Sequence, residues 1–200
     1  MADTGAPWNL PYPLPTDLVR DGADAIKDLA EQVAVGLDAA GNAGIGSNVV
    51  QTVKTNVFTT TSTAYVDITG MTVTITPSSA TSKILVIAYA VGASTQATGA
   101  SSAHLRLIRG STVLTVGQTE GSRTANAGNV GTRGSGAVDF LNSATIVELD
   151  SPGTTAATTY ALQLSTGGAG TAFINRTEND FNSAGTGRPI CSITVVEVAA

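Results

Sequence analysis

The stretch AYVDITGMTVTITP, residues 64–77, decides the fold. Val66 and Ile68 alternate with polar neighbours, and the alternation resumes at Met71, Val73 and Ile75 after Gly70. A period of two belongs to a strand with one face on a core, and the glycine inside it marks a bulge or a turn. Downstream, SKILVIAYAVGA (82–93) is almost continuously apolar, which suits a strand buried on both faces. AHLRLIRGSTVLTVGQ (103–118) reads as a hairpin turning around Arg109–Thr112, with His104, Arg106 and Ile108 on one face and Leu105 and Leu107 on the other. Upstream, VVQTVKTNVFTT (49–60) is β-branched and partly alternating. Strand character returns in AVDFLNSATIVELDSPGTT (137–155), TTYALQLSTG (158–167) and ICSITVVEVA (190–199). About eight strands at spacings of roughly 10–15 residues predict an antiparallel β-sandwich or jelly roll over residues 49–200. No internal repeat of fixed period interrupts this pattern.

The first 48 residues are of another kind. Pro7, Pro11, Pro13 and Pro15 fix φ, remove amide donors and push the preceding residues to extended geometry. Residues 1–15 are therefore expected as a polyproline-like attachment arm carrying Trp8, Leu10, Tyr12 and Leu14. Residues 16–41 predict a helix with Thr16 as its N-cap, Asp17 and Asp21 near its positive end, and Gly41 as its stop. Val19, Ile26, Val33 and Ala40 recur every seven residues, and Leu29 and Leu37 widen the apolar face. Two readings remain open for this face: it lies on the β-domain, or it gathers copies of the chain around an axis. Gly22 and Gly36 fall on seam positions and weaken a zipper. Residues 42–48 read as a glycine-rich linker.

Composition narrows the function. The net charge is −5, and the ten basic residues are scattered rather than gathered into the stripe that phosphate binding requires. No nucleic-acid partner is expected. No apolar run reaches membrane-spanning length, and no basic segment followed by an apolar core marks a signal peptide. The single cysteine, Cys191, excludes an intrachain disulfide framework and reads as a small buried hydrophobe. Charged residues make up only 12% and aromatics 4%, so many small side chains must build the core, or copies must complete it against each other.

A search for chemistry yields no catalytic constellation, and no enzyme is expected. His104 is the only histidine and lies in an alternating strand beside Arg106, so a zinc site with several His or Cys at ligand spacing cannot be assembled, and no nucleophile elbow, Walker loop or Rossmann fingerprint occurs. GNVGTRGSG (128–136) is glycine-rich, but no helix pattern follows it to receive a phosphate. Glu178 and Asp180 flank Asn179 in one loop, a spacing too common to specify Ca²⁺ or a glycosidase pair. No cofactor or metal is expected. What remains are polar loops at 94–103, 121–135 and 167–187, where Arg123, Asn126, Arg133, Asn175, Asn179 and Asp180 are candidates to meet the hydroxyls of a glycan. Aromatic stacking platforms are scarce there, only Phe173 and Phe181.

Several phrases resemble known proteins. PWNLPYPLPTDLVRD (7–21) with AIKDLAEQVAVGLDAAGN (25–42) is similar to the N-terminal segment of small tail-fibre or minor tail proteins of tailed bacteriophages, especially those infecting actinobacteria. STAYVDITGMTVTITPSSATSKILV (62–86), GSRTANAG (121–128), ELDSPGTTAATTYALQL (148–164) and INRTENDF with RPICSITVVEVA (174–181, 188–199) resemble a β-module of phage fibres. The resemblance covers most of the chain and rests on phrases rather than a catalytic signature. It implies a virion protein: a homotrimer joined through its N-terminal arm to other virion proteins of tail or capsid, with a C-terminal part that meets a host-surface glycan. A capsid decoration or head fibre protein with a purely structural role is the alternative it leaves open.

Overall fold

The computed structural model describes residues 2–3, 11–12, 22–42, 48–95, 102–131 and 140–198. Strand β1 (Ala2–Asp3) pairs antiparallel with β2 (Pro11–Tyr12), Ala2 opposite Tyr12. The arm is thus not extended as a single line, because its first residues lie alongside its middle. Helix α1 (Gly22–Asn42) follows. The expected Thr16 cap lies outside the described residues, and the helix runs through Gly41 to Asn42 rather than stopping before the glycine. Lys27 and Glu31 pair across one turn at 3.8 Å, both largely exposed, a contact worth about 0.3 kcal/mol at most.

The rest is a β-sandwich of two antiparallel sheets. Its strands are β3 (Val49–Lys54), β4 (Phe58–Thr60), β5 (Val66–Ile75), β6 (Lys83–Ser94), β7 (Ala103–Arg109), β8 (Thr112–Thr115), β9 (Gly128–Val130), β10 (Asn142–Asp150), β11 (Thr158–Thr166), β12 (Ala172–Ile174) and β13 (Cys191–Val198). The first sheet runs β3–β13–β6–β12–β4, with β10 along the other edge of β6. The second runs β5–β11–β7–β8, with β9 also on β7. The sequence pattern anticipates the strands of four residues or more. It misses β9 and β12, which have three residues each, too few to show alternation, and it does not show that residues 49–60 split into β3 and β4.

Alternation sets the core. Ile68, Met71, Val73 and Ile75 from β5 meet Leu105, Leu107, Leu162 and Leu164 of the same sheet, all buried. Ile84, Val86, Ile146, Ile193 and Val195 close over them from the first sheet. Gly70 sits at φ 84 where the β5–β11 register shifts, so Ile68 and Met71 both reach the core although they are three positions apart. The β7–β8 turn falls on Gly110 and Ser111 as expected, with Gly110 at φ 56.

One expectation needs correction. β6 is central and hydrogen-bonded along both edges, but only one of its faces is covered over its first half. Ile84, Val86, Ala88 and Ala90 are buried, whereas Ile87 and Tyr89 are 37% and 38% exposed on the opposite side. The apolar run of residues 84–91 therefore has more burial written into it than a single chain provides.

Candidate interaction surfaces

On α1 the heptad residues are open. Ile26 is 66% exposed and Val33 38%, with Leu29 half-buried between them on the same face. Leu37 also lies in α1, while Val19, Trp8, Leu10 and Leu14 fall outside the described residues, and Tyr12 stands in β2. No helix among the described residues is long and apolar enough to cross a membrane.

Where the chain enters the sandwich it is clamped. Asn48 donates through Nδ2 to Glu197 Oε2 at 3.1 Å and to the Thr76 carbonyl at 2.9 Å, and its carbonyl accepts from the Glu197 amide. Ser78 gives Glu197 Oε1 both its amide, at 2.8 Å, and its hydroxyl, at 2.6 Å. Burial alone would push the Glu197 carboxyl up. The donors Ser78, Ser82 and Asn48 together outweigh it and hold the group down at about 2, so it stays a carboxylate.

The outward face of the second sheet is polar and partly roofed by loops. Arg106 donates to Gln163 at 2.6 Å, Gln163 donates to Asp67 at 2.7 Å, and the Arg106 guanidinium lies 4.2 Å from the Tyr65 ring centre. Tyr65 reaches across to donate to the Ala125 carbonyl at 3.0 Å. Under this roof His104 Nε2 lies 2.6 Å from Ser102 Oγ, while its buried Nδ1 has no hydrogen-bond partner among the described residues. Burial holds the imidazole below its ordinary value, so the ring is neutral at pH 7. His104 and Arg106 share a face as expected. Their partnership with Tyr65, Gln163 and Asp67 was not legible, because it depends on strand register across residues far apart in sequence.

The candidate glycan residues do not form one site. Arg123 stands in an exposed turn with Glu120 at 3.5 Å, and Asn126 bonds within the same loop, to the Thr124 carbonyl and the Gly117 amide. Arg133 lies outside the described residues. Asn179 is exposed in the β12–β13 loop. Asp180, at φ 50, is held by Arg188 at 2.5 Å with Arg176 at 3.9 Å, so its charge is already matched. Asn175 must be withdrawn as a loop contact. It is fully buried at φ 62, with its Nδ2 on the carbonyls of Lys54 and Asn56 and its Oδ1 accepting from the Cys191 thiol at 2.8 Å. Cys191 is buried as expected, but it is more than a filler: it also accepts from the Val91 amide at 3.2 Å. Phe173 is likewise buried, under the Arg176 guanidinium. No group of three or more His, Cys, Asp or Glu side chains that would hold a metal ion occurs among the described residues.

No family model matches the chain, and no curated protein matches it. Among solved structures, it is similar to a chain in the structure of the infectious bursal disease virus Gt strain, with 18% identity and a TM-score of 0.30. The match covers 76% of this chain but 36% of the viral one, and likeness at that level carries no argument about function.

Proposed function

We propose that the chain is a structural protein of a tailed-phage particle, a fibre-like homotrimer whose N-terminal segment holds the assembly and whose β-sandwich is displayed toward the host surface. The observation that carries this reading is the apolar seam of α1. Ile26 and Val33 recur at heptad spacing on a helix that precedes the sandwich, and they stand open in a single chain. Exposed residues at that spacing are covered when helices of several copies meet around an axis. The phrase-level resemblance to phage tail-fibre and minor tail proteins supplies the context of a virion. Display in several copies would multiply weak host contacts, and Arg123 and Asn126 in the β8–β9 loop remain the residues offered for them.

Two measurements test the reading. Sedimentation or light scattering of the full chain is expected to give three times the mass of one chain, and a monomer at micromolar concentration would refute it. Imaging of intact particles is expected to place the protein on the tail. Density on the capsid would instead assign it to decoration, and Arg123→Ala would then leave host adhesion unchanged.

A further inference from the structure

We infer that the outward face of the first sheet is an interface between copies of this chain. The inference rests on the self-association proposed above and goes further by naming a second surface. Alternate residues of four paired strands build the face. Leu149, Leu85, Val196 and Val49 stand opposite one another in one row across β10, β6, β13 and β3. In the next row Val147 and Ile87 continue into Thr194 and Gln51, whose side chains hydrogen-bond at 2.8 Å. Tyr89 and Val53 mark the third row.

These side chains are open in the single chain: Val147 is 58% exposed, Leu149 49%, Val49 52% and Val53 48%. Together with Ile87 and Tyr89 they form an apolar patch, crossed by the Gln51–Thr194 pair, of the kind that marks an interaction site. Lys83, at one end, is the only charged residue among the outward positions of these strands.

A second copy fits this face better than other occupants. Lys83 apart, the face carries no charge to recognise a charged partner, and it meets its own kind with little like-charge repulsion. The chain also delivers the face to where its copies would gather. Val49 and Val53 belong to β3, which begins seven positions after the last helical residue. Seven steps of chain span at most about 25 Å. Copies joined along α1 therefore hold their β3 edges, and this face with them, close to the common axis. Docking of α1 onto the sheet of its own chain is disfavoured, because Ile26 and Val147 are exposed at the same time.

The test is thiol protection in the full chain. Cys191 is buried, so a cysteine placed at Val147 is the reactive one. Val147→Cys is compared with Glu120→Cys, in an exposed turn, using a maleimide while the mass of each sample is measured. An oligomer in which Val147→Cys reacts roughly tenfold more slowly than Glu120→Cys, with protection lost on dilution to monomer, is the expected result. An oligomer in which both react alike would overturn the interface yet leave helix-driven association standing. A monomer with fast labelling would overturn both, and a monomer with slow labelling would put α1 on its own sheet and overturn the interface. Should Val147→Cys fail to fold, Leu149→Cys on the same face takes its place.

Discussion

At the scale of single residues, Glu197 carries more of the fold than its neighbours suggest. It is almost fully buried at the end of β13 and joins the entry of the chain at Asn48 to the β5–β6 turn at Ser78. Glu197→Gln exchanges a charged acceptor for a neutral amide facing hydrogen-bond donors. It should lower stability by about 1–3 kcal/mol at pH 7, read by chemical denaturation. The carboxyl is depressed from 4.5 to about 2 in the folded chain, so its contribution is complete above pH 4.5 and fades as the pH falls toward 2. The gap between wild type and variant should close over that window. Asn175 behaves similarly. It sits in a polar segment that reads as a binding loop, yet its amide satisfies two carbonyls of the β3–β4 turn. Asn175→Ala should cost about 1–3 kcal/mol, whereas Arg123→Ala should leave the unfolding midpoint unchanged. Neither role was legible, since a glutamate at the end of CSITVVEV and an asparagine in a polar loop read as solvent-facing until the fold brings up their partners from distant segments.

Elements behave more legibly when they are long. β5, β7, β10, β11 and β13 follow from alternation because each offers several turns of the two-residue period. β12 could not be read, because its three residues owe their place to a glycine on another strand. A Cβ at Gly92 would stand 2.2 Å from the Phe173 carbonyl oxygen, so only glycine lets β12 lie against β6. Gly92→Ala should destabilise the sandwich by about 1–3 kcal/mol. Hydrogen exchange should rise first in Ala172–Ile174, and unchanged protection there would show that β12 is held from elsewhere. Gly36, in the middle of α1, has the opposite character. Nothing lies within 4 Å of a Cβ at Gly36, so Gly36→Ala should stabilise the helix by about 1 kcal/mol, seen as higher helical content by circular dichroism.

Across the whole molecule, the two-sheet architecture was legible because strand-length apolar segments, most of them with a period of two, recur between polar loops from residue 66 to 198, which points to packed antiparallel sheets. How the sheets are tied was not, because the tie joins positions that only the folded chain brings together. Asp150 ends β10 in the first sheet, while Arg109 and Tyr160 belong to β7 and β11 in the second. Arg109 Nη1 donates to both oxygens of Asp150 at 2.6 Å, and the Tyr160 hydroxyl donates to Oδ2 at 2.7 Å. Burial, then the adjacent carboxylate, push the Tyr160 phenol well above its ordinary value, against the opposing pull of Arg109, so the hydroxyl keeps its proton and remains a donor. A core rich in Ala88, Ala90, Ala103 and Ala172 gives the sheets less apolar contact than larger side chains would, which raises the weight of this polar bridge. Asp150→Ala would leave a partly buried guanidinium and a buried phenol without their acceptor. The expected loss is about 3–5 kcal/mol, against a smaller one for Asp150→Asn, which keeps an acceptor oxygen. Because the bridge spans both sheets, the loss should appear as a lowered midpoint of one cooperative transition. A separate early transition confined to the strands of one sheet would instead show that the sheets unfold independently and that the bridge serves only its own corner.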